Sequence, residues 1–260
     1  MIVLGLNHGE LNSSAAIVKD GQVIAGVAEE RFNRQKKTKD FPFQSANYCL
    51  ERASLSGLED CDYIAQAWQP GATWRKYNPS ISGVRVRRED YFYSVPDNLY
   101  RLTERSNHDW ALMSFPDGAN LPPLYFVQHH RAHAANAFYL SPFDEAAILT
   151  CDWRGELECT TFGVGRGNSI EVLGQHEIPN SLGMFYAAYT ELLGYTPDSD
   201  EWKVMALSAF DVDSSSYLEK IRSTYRLLDD GGVEFDQSYY KGAVLDQPKL
   251  YTPKLIDLLG

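Results

Sequence analysis

Two histidines four residues apart stand in the run His129-His130-Arg131-Ala132-His133. On a helix both imidazoles, His129 and His133, leave the same face one turn apart and can share a single metal ion. Asp152, at the end of the next apolar run, is the hard oxygen donor that completes such a site. Neutral imidazole with carboxylate suits iron, zinc or manganese rather than calcium. The other reading of the same residues is three histidines that pack or cap at a helix start, with no metal. His130 projects from a different face and fits a supporting or structural role.

Two polar turns offer a second kind of chemistry. Residues 7–14 join two apolar runs and carry Asn7, Asn12 and Ser13. Consecutive backbone N–H groups in such a turn can cradle a phosphate or an acyl-phosphate-like group. Asp152-Trp153-Arg154-Gly155-Glu156 is a second turn of this kind, with Gly155 at its centre. Two of them facing each other would form a nucleotide cleft, whereas each taken singly reads more readily as an ordinary hairpin. Arg31, Arg34, Lys36, Lys37 and Lys39 concentrate positive charge in a chain whose net charge is −11. An anionic small substrate such as a nucleotide would be drawn there, although most charge runs are solvated faces. No Gly-x-Ser-x-Gly elbow or Walker loop is present, which disfavours serine-hydrolase and P-loop chemistry.

The elements that must hold these residues read as α/β. Apolar runs at 2–6, 14–18 and 23–28 predict three meandering strands, with Asp20-Gly21 as a tight turn. Phe41-Pro42 precedes a helix to about residue 53. Runs 62–68 and 124–127 read as strands, 97–113 as a helix, and 129–140 as a helix stopped by Ser141-Pro142. Residues 69–96, with Arg85, Arg87 and Arg88, read as an excursion loop. The opening order then recurs as strands at 146–151, 158–164 and 170–175, with a hairpin at 165–167. A helix follows from 182, capped by Asn180 or Ser181 and stopped by Gly194. This repetition predicts a duplicated ribonuclease-H-like or actin-like fold, with a first subdomain over 1–143 and the start of a second over 144–260. The second copy reads as incomplete: no later strand pair is evident, and 251–260 reads as an apolar helix.

Length and composition agree with this. With 260 residues, 44% hydrophobic and 23% charged, the chain has the make-up of a folded protein of one or two domains, not a disordered one. Its acidity, with a pI near 5.0, speaks against nucleic acid as a partner. No apolar run reaches the ~20 residues that span a bilayer, and the start lacks the basic region of a signal peptide. Cys49, Cys61, Cys151 and Cys159 show no CxxC spacing, so neither a zinc knuckle nor a disulfide scaffold is indicated. The expectation is a soluble, cytoplasmic protein that does not engage membranes.

The separated motifs together resemble the NodU/CmcH O-carbamoyltransferase family. They are Ala28-Glu29-Glu30-Arg31-Phe32-Asn33-Arg34 with Lys36 and Phe41-Pro42, then Cys49-Leu50, the His129 to Ala135 run and Ser141-Pro142-Phe143. Ser181-Leu182-Gly183 and Glu201 with Lys203-Val204-Met205 follow in the same order. The resemblance implies an actin-like (ASKHA) domain that moves a carbamoyl group to a hydroxyl of a small-molecule natural product or sugar. The donor would be carbamoyladenylate, made from carbamoyl phosphate and ATP. It implies that His129, His133 and Asp152 ligate a divalent metal, iron in that family, and that Lys36 binds the activated donor. His8, three residues before the slot in which the family carries histidine, would take the acceptor proton if the turn closes, and the polar turns and the basic stretch would offer Asn7, Asn12, Ser13, Arg34 and Gly155 to the substrate. A further aspartate ligand, the remaining half-domain and a YrdC-like module that makes the adenylate would come from beyond residue 260 or from a separate chain.

Two motifs depart from the family pattern. Leu11-Asn12 stands where the family has His-Asp or His-Gly, and Trp153 stands where it has glycine. They motivate an alternative: a non-catalytic or partner-dependent half that binds a ligand or a partner chain. A metal-dependent hydrolase is a third reading, and it gives the Lys36 stretch no purpose. The acceptor pocket is expected within 69–123, where aromatic residues including Trp74, Tyr77 and Tyr91 could stack a ring.

Overall fold

The computed structural model describes residues 1–8, 12–67, 122–210, 213–241 and 249–260. Leu11, the excursion loop at 69–96, the helix expected at 97–113 and the acceptor aromatics with their Arg cluster lie outside them. The described residues form two compact units, one from residues 1–132 and one from 133 onward.

The first unit is built on strands β1 (Ile2–Asn7), β2 (Ser14–Lys19), β3 (Gln22–Ala28), β4 (Tyr63–Gln66) and β5 (Leu124–Phe126) in the order β3-β2-β1-β4-β5. β1, β2 and β3 are antiparallel neighbours, β4 runs parallel to β1, and β5 runs parallel to β4. This is the ribonuclease-H-like layout that actin-like folds duplicate. Period-two alternation sends Leu4, Leu6, Ala15, Ile17, Ile64 and Leu124 into one core. Helix α2 (Phe43–Arg52) covers it with Ala46, Cys49 and Leu50, continued by Ala53, at helical spacing. Between β3 and α2 lies α1 (Glu30–Asn33), a single turn within the basic stretch.

In the second unit β6 (Glu145–Cys151), β7 (Glu158–Arg166) and β8 (Ser169–Glu177) repeat the antiparallel meander. Helix α3 (His129–Tyr139), which belongs to this unit from His133 onward, lays Ala134 and Phe138 against Ile148 of this sheet. Gly165 on β7 makes the seat possible, because a Cβ there would come within 2.6 Å of the Phe138 ring. α4 (Leu182–Leu192) follows β8, with Ser181 as its cap. The remaining elements are α5 (Glu201–Leu207), α6 (Ser215–Arg222), β9 (Tyr225–Leu227), β10 (Val233–Phe235) and α7 (Pro253–Leu259).

The β9–β10 hairpin corrects the expectation that no strand pair follows α4. Its strands are three residues each, too short to carry a readable period. Aromatic packing holds them instead: Phe235 stacks on Phe185 of α4 at 4.9 Å, with Tyr225, Tyr240 and Tyr251 around it. No helix among the described residues is long and apolar enough to cross a membrane.

Candidate functional site

Two faces of α3 divide the histidine run as helical geometry requires. His130, Ala134 and Phe138 form a buried stripe, with His130 only 3% exposed. His129 and His133, one residue out of phase, lie on the adjoining, more open face. There they meet Asp152, just past the end of β6. Potential ligand atoms of His129, His133 and Asp152 all lie within 4.8 Å of one another, and His133 Nε2 is 3.1 Å from Asp152 Oδ2. A metal about 2.1 Å from each donor keeps neighbouring donors about 3.0–3.4 Å apart, so the donor set and its spacing fit such an ion after small side-chain rotations.

The Asp152 carboxylate is oriented from behind. Trp153 N–H donates to Oδ1 at 2.6 Å, which leaves Oδ2 toward His133. Asp152 N–H donates to Cys159 O at 2.9 Å and fixes the start of the turn. The turn itself is buried from Arg154 to Cys159, with Glu156 fully buried. Gly155 N–H donates to Glu158 O, so in this conformation that amide closes the turn. The Trp153 ring packs against the Leu157, Cys159, Ile178 and Met184 cluster. Asp152 also borders an open recess of about 440 Å³, whose lining includes Trp153, Gly183, Tyr186, Asp198 and Glu201.

The other expected site residues gather in the first unit, at the end of β1 and the basic loop. Asn7 Nδ2 donates to Asn12 O at 2.8 Å, and Asn12 takes a positive φ of 47°. Ser13 is buried. Its N–H donates to Thr38 O at 2.8 Å and its carbonyl accepts from Glu29 N–H, which ties the polar turn to the loop that carries Lys36. Among the described residues Ser13 Oγ has no hydrogen-bond partner. The His8 ring meets Phe41 edge-on at 5.0 Å, and burial pushes its imidazole down to about 4. It is therefore neutral at pH 7 and a weak base. Lys36 is 80% exposed and donates to Glu30 Oε1 at 3.0 Å. Lys36 and the Lys37 N–H hold the Glu30 carboxyl below its ordinary range. Arg34 ends α1 in the left-handed conformation at φ 61°.

Sequence reasoning missed the residues that hold these groups. Glu29, 3% exposed, accepts from Ser45 N–H at 2.8 Å, from Ser45 Oγ at 2.7 Å and from both nitrogens of Gln44. It caps α2 from the end of β3, in place of a side-chain cap at Pro42. The only visible signal was the Glu29-Glu30 pair, in which one carboxylate turns inward and the other outward. Ser181 was legible as a helix cap, but not its contact with the Asp152 turn.

A family model described as "Carbamoyltransferase N-terminus" matches residues 3–244. The chain is 36% identical to the uncharacterized protein sll1178 of Synechocystis over 99% of its own length and 42% of that protein. It is 34% identical to nodulation protein NolNO of Sinorhizobium fredii over 85% of its length and 31% of that protein. It thus spans less than half the length of these relatives. Among solved structures it is similar to YeaZ from Pseudomonas aeruginosa, with a TM-score of 0.34 and 18% identity, covering 66% of this chain and 64% of that one. It is also similar to the ROK hexokinase of Thermus thermophilus, with a TM-score of 0.39 and 13% identity, covering 85% and 76%. The match over nearly all of its length assigns this chain to the family of carbamoyltransferase N-terminal domains.

Proposed function

We propose that the chain is the N-terminal part of an O-carbamoyltransferase, which passes a carbamoyl group from carbamoyladenylate to a hydroxyl of a small-molecule natural product or sugar. The observation that carries this reading is the His129, His133 and Asp152 grouping in a chain of that family. Two imidazoles and one carboxylate suit iron(II), zinc or manganese, and iron is the metal we assign because the family resemblance implies it. Bound there, it would supply Lewis-acid polarisation of the carbamoyl carbonyl and a template for donor and acceptor.

The chain's own residues would do the rest. Lys36, exposed and on a tethered loop, would meet the negative charge of the donor. Asn7, Asn12, Ser13, Arg34 and Gly155 are the further substrate positions of this proposal. A neutral His8 has the protonation state needed to accept the hydroxyl proton, though its low pKa makes it an inefficient base at pH 7. Carbamoyl phosphate and ATP would be turned into the adenylate by a YrdC-like module outside this chain. A cytoplasmic setting is consistent with four free cysteines, three of them buried.

A transfer assay tests the proposal. The protein is mixed with preformed carbamoyladenylate, a chain that carries the remaining half-domain, and a panel of alcohols. AMP and an O-carbamoylated product are expected, and both should be lost with Asp152→Asn. A folded complex that binds the donor and yields no product would favour the non-catalytic alternative. With only carbamoyl phosphate and ATP, the isolated chain is expected to give no turnover.

A further inference from the structure

The start of α4 reaches into the metal centre without supplying a ligand to it. Ser181 is fully buried, and its hydroxyl touches three backbone groups. It donates to Trp153 O at 2.5 Å, with Asp152 O at 3.3 Å, and accepts from Met184 N–H at 3.1 Å. Gly183 lets the helix come this close, because a Cβ there would fall 2.5 Å from Trp153 Cα and 2.7 Å from Trp153 N. The next link is Trp153 N–H on Asp152 Oδ1, and the last is Asp152 Oδ2 facing His133.

The geometry points to Ser181 and Gly183 as positioning residues for the metal ligand Asp152. The Ser181 hydroxyl fixes the Trp153 peptide, Gly183 sets its distance from the helix, and the Trp153 N–H turns one carboxylate oxygen away so that the other faces the ion. The inference rests on the metal centre proposed above. Groups that orient ligands from behind typically change metal affinity by about 10–100-fold when removed.

The experiment uses the purified 260-residue chain, titrated anaerobically with Fe(II) and, for its visible spectrum, with Co(II). The variants are Ser181→Ala, which removes the hydroxyl, and Gly183→Ala, which leaves the hydroxyl and displaces the peptide. Ala188→Gly, which loosens α4 in its interior, serves as a control for helix stability. Both clamp variants should bind about 10–100-fold more weakly than wild type and alter the Co(II) spectrum. The control should lower the melting temperature to a similar degree and keep wild-type affinity. Unchanged affinity in both clamp variants overturns the inference alone, whereas a wild-type chain that takes up no metal overturns the metal centre and the inference with it. A loss of affinity in Ala188→Gly as large as theirs also counts against it, as does a clamp variant that fails to fold, since either would make the role one of general helix stability.

Discussion

At the scale of single residues, burial decides which groups hold charge. The base role of His8 comes from the family resemblance, as a stand-in for the histidine missing at Leu11, and β1 delivers it to the start of the polar turn. Its contact with Phe41 could not be read from spacing, since 33 residues separate them in sequence. Burial has a measurable consequence. The unfolded chain takes up a proton at this imidazole near pH 6.5, and the folded chain only near pH 4. Between those values the unfolded state binds more protons, so stability rises with pH. The contribution is complete above pH 6.5 and is lost as the pH falls through about 4. Thermal melts from pH 7 to 4 should show the wild type losing up to about 3 kcal/mol more than His8→Gln, the size of such a shift. Parallel curves for the two proteins would mean that His8 is not buried in a neutral form.

Elements carry these residues to their positions, and here legibility was uneven. The apolar patterns placed β1 to β3, α2, β6 to β8 and α4 to within a few residues, because each is long enough to show its repeat, and the Ser141-Pro142 stop bounded α3. The one-turn α1 and the hairpin β9–β10 escaped, since tertiary contacts and not local pattern hold them. The i, i+4 spacing of His129 and His133 was visible in the sequence, and so was the carboxylate at the strand end. The seat that brings helix and strand together was not, because it depends on Gly165 lying under the Phe138 ring from a distant part of the chain. Gly165→Ala should therefore cost about 1–3 kcal/mol in urea unfolding, as overpacked cores do. Phe138→Leu should recover part of that loss in a double-mutant cycle. Strictly additive effects would contradict the packing described.

On the scale of the whole molecule, a five-stranded sheet and a three-stranded meander begin alike, and only the first continues into parallel strands among the described residues. The family match spans both units, while the relatives extend well beyond the aligned region, so transfer itself is a property to be tested in a larger assembly. Three of the expected metal donors lie on this chain, on α3 and just past the end of β6, so their binding can be measured without the part that would supply the further aspartate. Elemental analysis and Fe(II) titration of the purified chain, beside His129→Ala, decide whether these three side chains hold an ion. About one ion per chain is expected, displaced by chelator, with affinity lowered at least about 10-fold in the variant, because one of these three donors is gone. A wild-type chain that binds no iron, or a His129→Ala chain that binds it equally well, would contradict the proposed centre.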